Sequence, residues 1–154
     1  MTRVPLKELP ELAGNILAAI WLGGAKERAT VLALKGELGA GKTTFVKAIA
    51  KRLGIQEPVQ SPTYVLMKSY PLEGPLTTFG EKRRFNRLVH IDAYRLENPE
   101  EFEALRPEEF LNDPKAFVIV EWPERLGDRL PKPDMTLTFR AGDTGEDERY
   151  IEAV

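Results

Sequence analysis

Apolar residues in this chain fall into runs of two kinds, and each kind predicts its own element. Thr30-Val31-Leu32-Ala33-Leu34 and Ala116-Phe117-Val118-Ile119-Val120-Glu121 are short and almost unbroken, which reads as strands buried on both faces. Thr63 to Tyr70 and Arg87 to Asp92 also have strand composition, and the turn-rich residues 71–84 between them suggest an antiparallel pair. Met135 to Arg140 and Glu148 to Ala153 alternate as two further strands, joined by residues 142–147. Helical spacing runs from about Pro10 to Leu22, closed by Gly23-Gly24, and from Lys42 to Leu53, stopped by Gly54. Asn98-Pro99-Glu100-Glu101 predicts a helix start with Asn98 as cap, Pro99 at the first position and acids in the first turn. A short helix is expected around Pro107 to Leu111, and Pro58 to Pro62 reads as a connector.

Bulk composition narrows the classes of function. A length of 154 residues suits one domain, spanning 1–154, with an ordinary core. A formal charge of −2 argues against an autonomous nucleic-acid binder, though not against joining a complex in which another subunit holds RNA. Without Cys there is no disulfide framework, thiol nucleophile or cysteine metal site, and the single His90 builds no histidine cluster. No stretch approaches the length of an apolar membrane span and no signal pattern opens the chain, so a cytoplasmic protein with no membrane partner is expected.

The most specific chemistry lies between the first buried strand and the helix after it. Gly36, Gly41, Lys42 and Thr43 satisfy G-x-x-x-x-G-K-[ST], the phosphate-binding loop. Its glycines let successive backbone N–H groups turn inward around phosphate oxygens, and the following helix adds its positive dipole end. Lys42 is expected to reach the β- and γ-phosphates and the Thr43 hydroxyl to ligate Mg²⁺. The residues expected to contact the nucleotide are Glu37, Leu38, Gly39, Ala40, Gly41, Lys42, Thr43 and Thr44. A plain Gly-rich turn would need neither the lysine nor the hydroxyl. Buried strands alternating with helices around this loop give a three-layer α/β P-loop NTPase fold, its central sheet mostly parallel with antiparallel hairpin strands added.

Hydrolysis also needs a metal and a placed water, and ligands of open α/β sheets sit beyond the strands' carboxyl ends. Two acids are expected at that edge. Glu121 ends the run from Phe117 and is placed to hold Mg²⁺, directly or through water. Asp92 ends the run from Leu88; it either serves the metal shell and the attacking water or simply caps a strand end. Lys42, Asp92 and Glu121 are thus the candidate catalytic residues, with Thr43 and Glu121 the metal ligands. His90 shares a face with Asp92 and reads as a packed, hydrogen-bonded histidine, with proton transfer as the alternative. Ser61-Pro62-Thr63 is either a switch whose hydroxyl meets the γ-phosphate or Mg²⁺, or a turn before a strand. The basic run from Glu81 to Arg87 is either a solvated loop or a lid or RNA contact. Trp122 reads as a wall of the pocket rather than a base-stacking platform.

Four segments together resemble the bacterial TsaE (YjeE) family, the small ATPase of tRNA threonylcarbamoyladenosine synthesis. They are Gly36 to Phe45, Ser61-Pro62-Thr63-Tyr64, His90-Ile91-Asp92-Ala93-Tyr94-Arg95-Leu96 and Glu121-Trp122-Pro123-Glu124. The resemblance implies a P-loop fold with modified strand order and Mg-ATP hydrolysis that is slow in isolation. It also implies work beside the TsaB–TsaD pair, which transfers threonylcarbamoyl to adenosine 37 of tRNAs reading codons that begin with A; tRNA would be met only through that complex. It assigns phosphate and metal roles to Lys42 and Thr43, the acidic metal role to Glu121, a supporting catalytic role to Asp92 and a switch role to Ser61 to Tyr64. The first helix here starts Leu9-Pro10-Glu11-Leu12, where the family usually has an acidic–Thr pair near the adenine. A small-molecule kinase and a nucleotide-gated interaction module are the alternative readings of the same loop.

Overall fold

A computed structural model describes residues 1–62, 65–73, 84–142 and 147–154. Its strands are β1 (Thr2–Pro5), β2 (Thr30–Gly36), β3 (Met67–Pro71), β4 (Arg87–Asp92), β5 (Ala116–Glu121), β6 (Met135–Ala141) and β7 (Glu148–Ala153). The α-helices are α1 (Leu9–Leu22), α2 (Lys42–Arg52), α3 (Glu100–Glu103) and α4 (Glu108–Leu111). The strands form one sheet in the order β1-β7-β6-β2-β5-β4-β3. The central pairings, β6 with β2, β2 with β5 and β5 with β4, are parallel, and the flanking ones are antiparallel. Consequently β1, β2, β4, β5 and β6 run one way, with β3 and β7 reversed.

Strand alternation sends side chains to two cores. Leu32, Leu34, Leu88, Phe117, Ile119, Leu137 and Phe139 pack with Ile16, Leu17 and Ile20 of α1 and Phe45, Val46 and Ile49 of α2. Val31, Val89, Ile91, Val118 and Val120 face the other way, onto Phe102 of α3 and Phe110 and Leu111 of α4. Helices therefore cover both faces and the fold has the three expected layers. Every residue of β5 is buried, as a strand paired in parallel on both edges requires. None of the described residues forms a helix long and apolar enough to cross a membrane.

Several boundaries differ from the sequence reading. β3 begins at Met67 rather than Thr63, because Leu66 turns into the left-handed region at φ 61° and Val65 N–H bonds back to Pro62 O. Residues 63–64 lie outside the described residues. Pro71, expected in the following loop, closes β3; of that loop, residues 74–83 are outside the description. α3 begins at Glu100, and the capping contact is the reverse of the expected one: the Glu101 carboxylate accepts the Asn98 backbone N–H at 3.1 Å. β1 was not foreseen. Its four residues end in proline and gain their ladder from β7, with Arg3 paired to Glu148.

Gly36 ends β2 at φ +131°, and a Cβ there would meet Phe139 O of β6 at 2.2 Å. Backbone closeness and backbone angle thus both demand glycine at the point where the strand opens into the loop. Gly36→Ala is expected to destabilise the fold by about 3 kcal/mol, read as a lower urea midpoint at unchanged m-value. A midpoint like that of the wild type would show that the β2–β6 contact is looser than described.

Candidate functional site

Parallel register brings three strand ends to one edge: Leu34 pairs with Glu121, and Glu121 with Asp92. Counting by twos from Leu88 and Phe117, which both face α2, carries His90, Asp92, Ile119 and Glu121 to that same face. α2 starts directly opposite. Gly41, at φ +101°, is its N-cap, and the first turn of the helix presents Lys42, Thr43 and Thr44. The loop itself is closed by a turn in which Ala40 N–H donates to Glu37 O.

These side chains form a buried polar cluster; Lys42 and Asp92 are each 4% exposed, Glu121 2% and His90 0%. Lys42 Nζ donates to Gly36 O at 2.6 Å and Glu37 O at 2.7 Å, and sits 4.3 Å from the centroid of the Trp122 ring. Burial pushes the Lys42 ammonium below its ordinary value, and the charges of Glu121, Asp92 and Glu124 oppose that shift. Thr43 Oγ1 donates to the Glu121 carboxylate, 2.9 Å from one oxygen and 3.0 Å from the other. His90 Nε2 lies 2.8 Å from Glu121 Oε1. An ionised carboxylate only accepts, so Nε2 carries the proton, and Nδ1 has no partner among the described residues.

Asp92 is held from two sides: Ser61 Oγ donates to Oδ2, and Tyr94 N–H donates to Oδ1 at 3.0 Å, an Asx turn. Trp122 adopts φ 60° and ψ 50°, a strained conformation for a bulky residue that also precedes proline. That turn lays its ring over Lys42 and 5.1 Å from the Tyr94 ring. Strain at such a place is typical of sites whose geometry matters to their chemistry.

The cleft over this cluster has a volume of about 410 Å³, a size suited to a nucleotide. Leu38 to Thr44, Ser61, Asp92, Glu121 and Trp122 line it, so the structure gathers the residues singled out in the sequence. Glu37 joins through its carbonyl on Lys42 rather than through the lining. His90 lies behind Glu121 as the packed, hydrogen-bonded histidine of the first reading. Thr63 is outside the described residues. Arg84 and Arg87 of the basic run turn elsewhere: Arg84 donates to Ile20 O and to Thr30 Oγ1, and Arg87 pairs with Asp113. Tyr94 and Arg95 also line the cleft, as do Leu6 and Arg149, which the sequence reading missed. The last two come from the β1–β7 edge, and no local motif marks them.

A family model described as threonylcarbamoyl adenosine biosynthesis protein TsaE matches residues 9–151. A tRNA threonylcarbamoyladenosine biosynthesis protein TsaE of Haemophilus influenzae is 33% identical over 141 residues, covering 92% of this chain and 80% of the relative. One of Treponema pallidum is 38% identical over 119 residues, with 77% and 78% covered. Among solved structures, the crystal structure of Bacillus subtilis YdiB aligns with a TM-score of 0.63 at 28% identity, over 97% of this chain and 80% of that one.

The His90–Glu121 contact should be energetically coupled, because each buried group satisfies the other. His90→Leu is expected to cost about 1–3 kcal/mol of unfolding free energy, and a double-mutant cycle with Glu121→Leu should give a coupling of at least about 1 kcal/mol. Strict additivity would mean that the two side chains do not interact.

Proposed function

The chain belongs to the TsaE family of threonylcarbamoyl adenosine biosynthesis proteins, and from that premise we propose how its cleft binds and hydrolyses ATP. It is a P-loop ATPase acting in tRNA threonylcarbamoyladenosine modification. What supports the residue roles is one observation: Lys42, Thr43, Asp92 and Glu121, from three different elements, meet in a single cleft on the α2 face of the sheet.

Phosphoryl transfer asks a protein mainly for positioning and charge neutralisation. The N–H groups of residues 38–44 and the N-terminus of α2 hold the phosphates, and Lys42 offsets their charge. Thr43 and Glu121 suit Mg²⁺, since a hydroxyl and a carboxylate already converge on one point and both are hard oxygen donors. Among the described residues no three acids or histidines gather into a cation cage. That agrees with an ion that keeps water and substrate phosphates as ligands. When bound, Mg²⁺ offsets negative charge on the phosphate oxygens. His90 keeps the Glu121 carboxylate oriented.

Asp92 accepts a hydrogen bond from the attacking water and aims it. The water oxygen bonds to the γ-phosphorus as the bond from that phosphorus to the ADP oxygen breaks, giving ADP, inorganic phosphate and a proton. Ser61, donating to Asp92, couples the segment before β3 to this acid and serves as its switch. We assign the partner as the TsaB–TsaD pair, with hydrolysis supporting repeated turnover of that complex and tRNA met through it.

Lys42→Ala is expected to weaken ATP binding at least about tenfold, the loss of a charge-assisted contact, measured by calorimetry. Glu121→Gln should lower phosphate release by about 100-fold or more while ADP affinity stays within about threefold. Wild-type affinity in Lys42→Ala would remove the phosphate role from this loop.

A further inference from the structure

Hydrolysis of a phosphoanhydride spreads negative charge over the γ-phosphate oxygens and the leaving oxygen, and a cation held where that charge grows speeds it. Lys42 is one such cation, but two loop carbonyls and the Trp122 ring hold it close to the backbone. Glu121 and Asp92 end β5 and β4, to one side of β2, so the metal-binding and water-aiming groups mark that side as the γ-phosphate end. Among the described residues two arginines line the cleft. Arg149 belongs to β7, on the far side of β2, whereas Arg95 extends from the turn that follows Asp92.

That turn is pinned along its length. Asp92 N–H donates to Leu66 O at 2.9 Å, Ala93 N–H to Glu121 O at 3.1 Å and Leu96 N–H back to Ala93 O at 3.1 Å. Tyr94 N–H donates to Asp92 Oδ1, and the Tyr94 ring centroid lies 5.1 Å from that of Trp122. Ala93 and Leu96 are buried, while Arg95 is exposed and its side chain forms part of the same wall as Asp92, Glu121 and Trp122. The hydrogen bonds that orient the water-aiming carboxylate therefore also fix the backbone from which this arginine extends.

We propose that Arg95 is a catalytic residue whose guanidinium donates to the γ-phosphate oxygens of ATP in the transition state. The inference rests on the hydrolytic reading of the cleft. The water oxygen bonds to the γ-phosphorus as the bond from that phosphorus to the ADP oxygen breaks, and ADP, inorganic phosphate and a proton leave. The guanidinium neither gives nor takes a proton; its planar fork of donors matches the oxygens on which the charge gathers. Because its contact strengthens only as that charge moves, it raises the rate and adds little to the affinity for ATP or ADP.

The test titrates three probes into wild type, Arg95→Ala, Arg95→Lys and Lys42→Ala: ADP, a non-hydrolysable ATP analogue, and ADP with Mg²⁺ and aluminium fluoride, a mimic of the phosphoryl group in transfer. Phosphate release at saturating ATP is measured on the chain alone and with TsaB–TsaD. Arg95→Ala is expected to bind ADP and the ATP analogue within about threefold of wild type but the aluminium fluoride complex about 30-fold or more weakly. Its saturated rate should fall about 100-fold or more. Arg95→Lys, which keeps the charge and loses the fork, should recover no more than about tenfold of that rate. Should the nucleotide-free Ala variant melt early, Arg95→Gln replaces it. Equal losses for ADP and the aluminium fluoride complex, an undiminished rate, or full recovery by lysine would each overturn the proposal. So would a slower rate found only with TsaB–TsaD at wild-type aluminium fluoride affinity, the behaviour of a docking residue. Wild-type binding of the ATP analogue by Lys42→Ala would instead overturn the reading of the cleft itself.

Discussion

The parallel register of β2, β5 and β4 is the constraint on which the site depends. Leu34, Glu121 and Asp92 sit side by side in it, and the pairing continues past the strand ends through Trp122 N–H on Leu34 O and Ala93 N–H on Glu121 O. A slip of one residue would turn an acid from the α2 face to the opposite core. Burial enforces the register, because the same slip would exchange Phe117 and Ile119 for Val118 and Val120 against α1 and α2. Packing of ordinary aliphatic side chains thus holds two carboxylates beside the phosphate loop.

Those carboxylates are kept almost without solvent, which costs free energy unless each is matched. Here the matches are specific: Glu121 takes the Thr43 hydroxyl and the His90 ring, and Asp92 takes the Ser61 hydroxyl and the Tyr94 amide. Lys42 is met by two carbonyls and an aromatic face. Satisfied in this way, the buried groups hold one another in a single arrangement at the start of α2. The left-handed turns at Trp122 and Leu66 are where the backbone bends to bring these groups in.

Much of this was legible in the chain. The apolar runs of β2 and β5 read as doubly buried strands because their whole length is buried, and the loop motif was readable because its glycines, lysine and hydroxyl each have a distinct task. Glu121 and Asp92 were legible as acids closing such runs. Other features depend on contacts between distant segments. β1 is too short to show a period, and its pairing with β7 spans nearly the whole chain. Arg149 reaches the cleft through the place of β7 in the sheet, between β1 and β6, so nothing near it in sequence reveals it. The early start given to β3 failed because Thr63 to Leu66 has strand-like composition, whereas Leu66 takes a turn conformation that composition does not encode.

The proposed reaction in this cleft is hydrolysis of ATP, with water as the phosphoryl acceptor, in support of a tRNA-modifying complex. The most direct measurement is the release of ADP and inorganic phosphate by the purified chain, alone and with TsaB–TsaD and tRNA. Equal amounts of the two products, released slowly by the chain alone and faster with the partners, are the predicted result. Transfer of the phosphate to an acceptor other than water, or no hydrolysis under either condition, would contradict it.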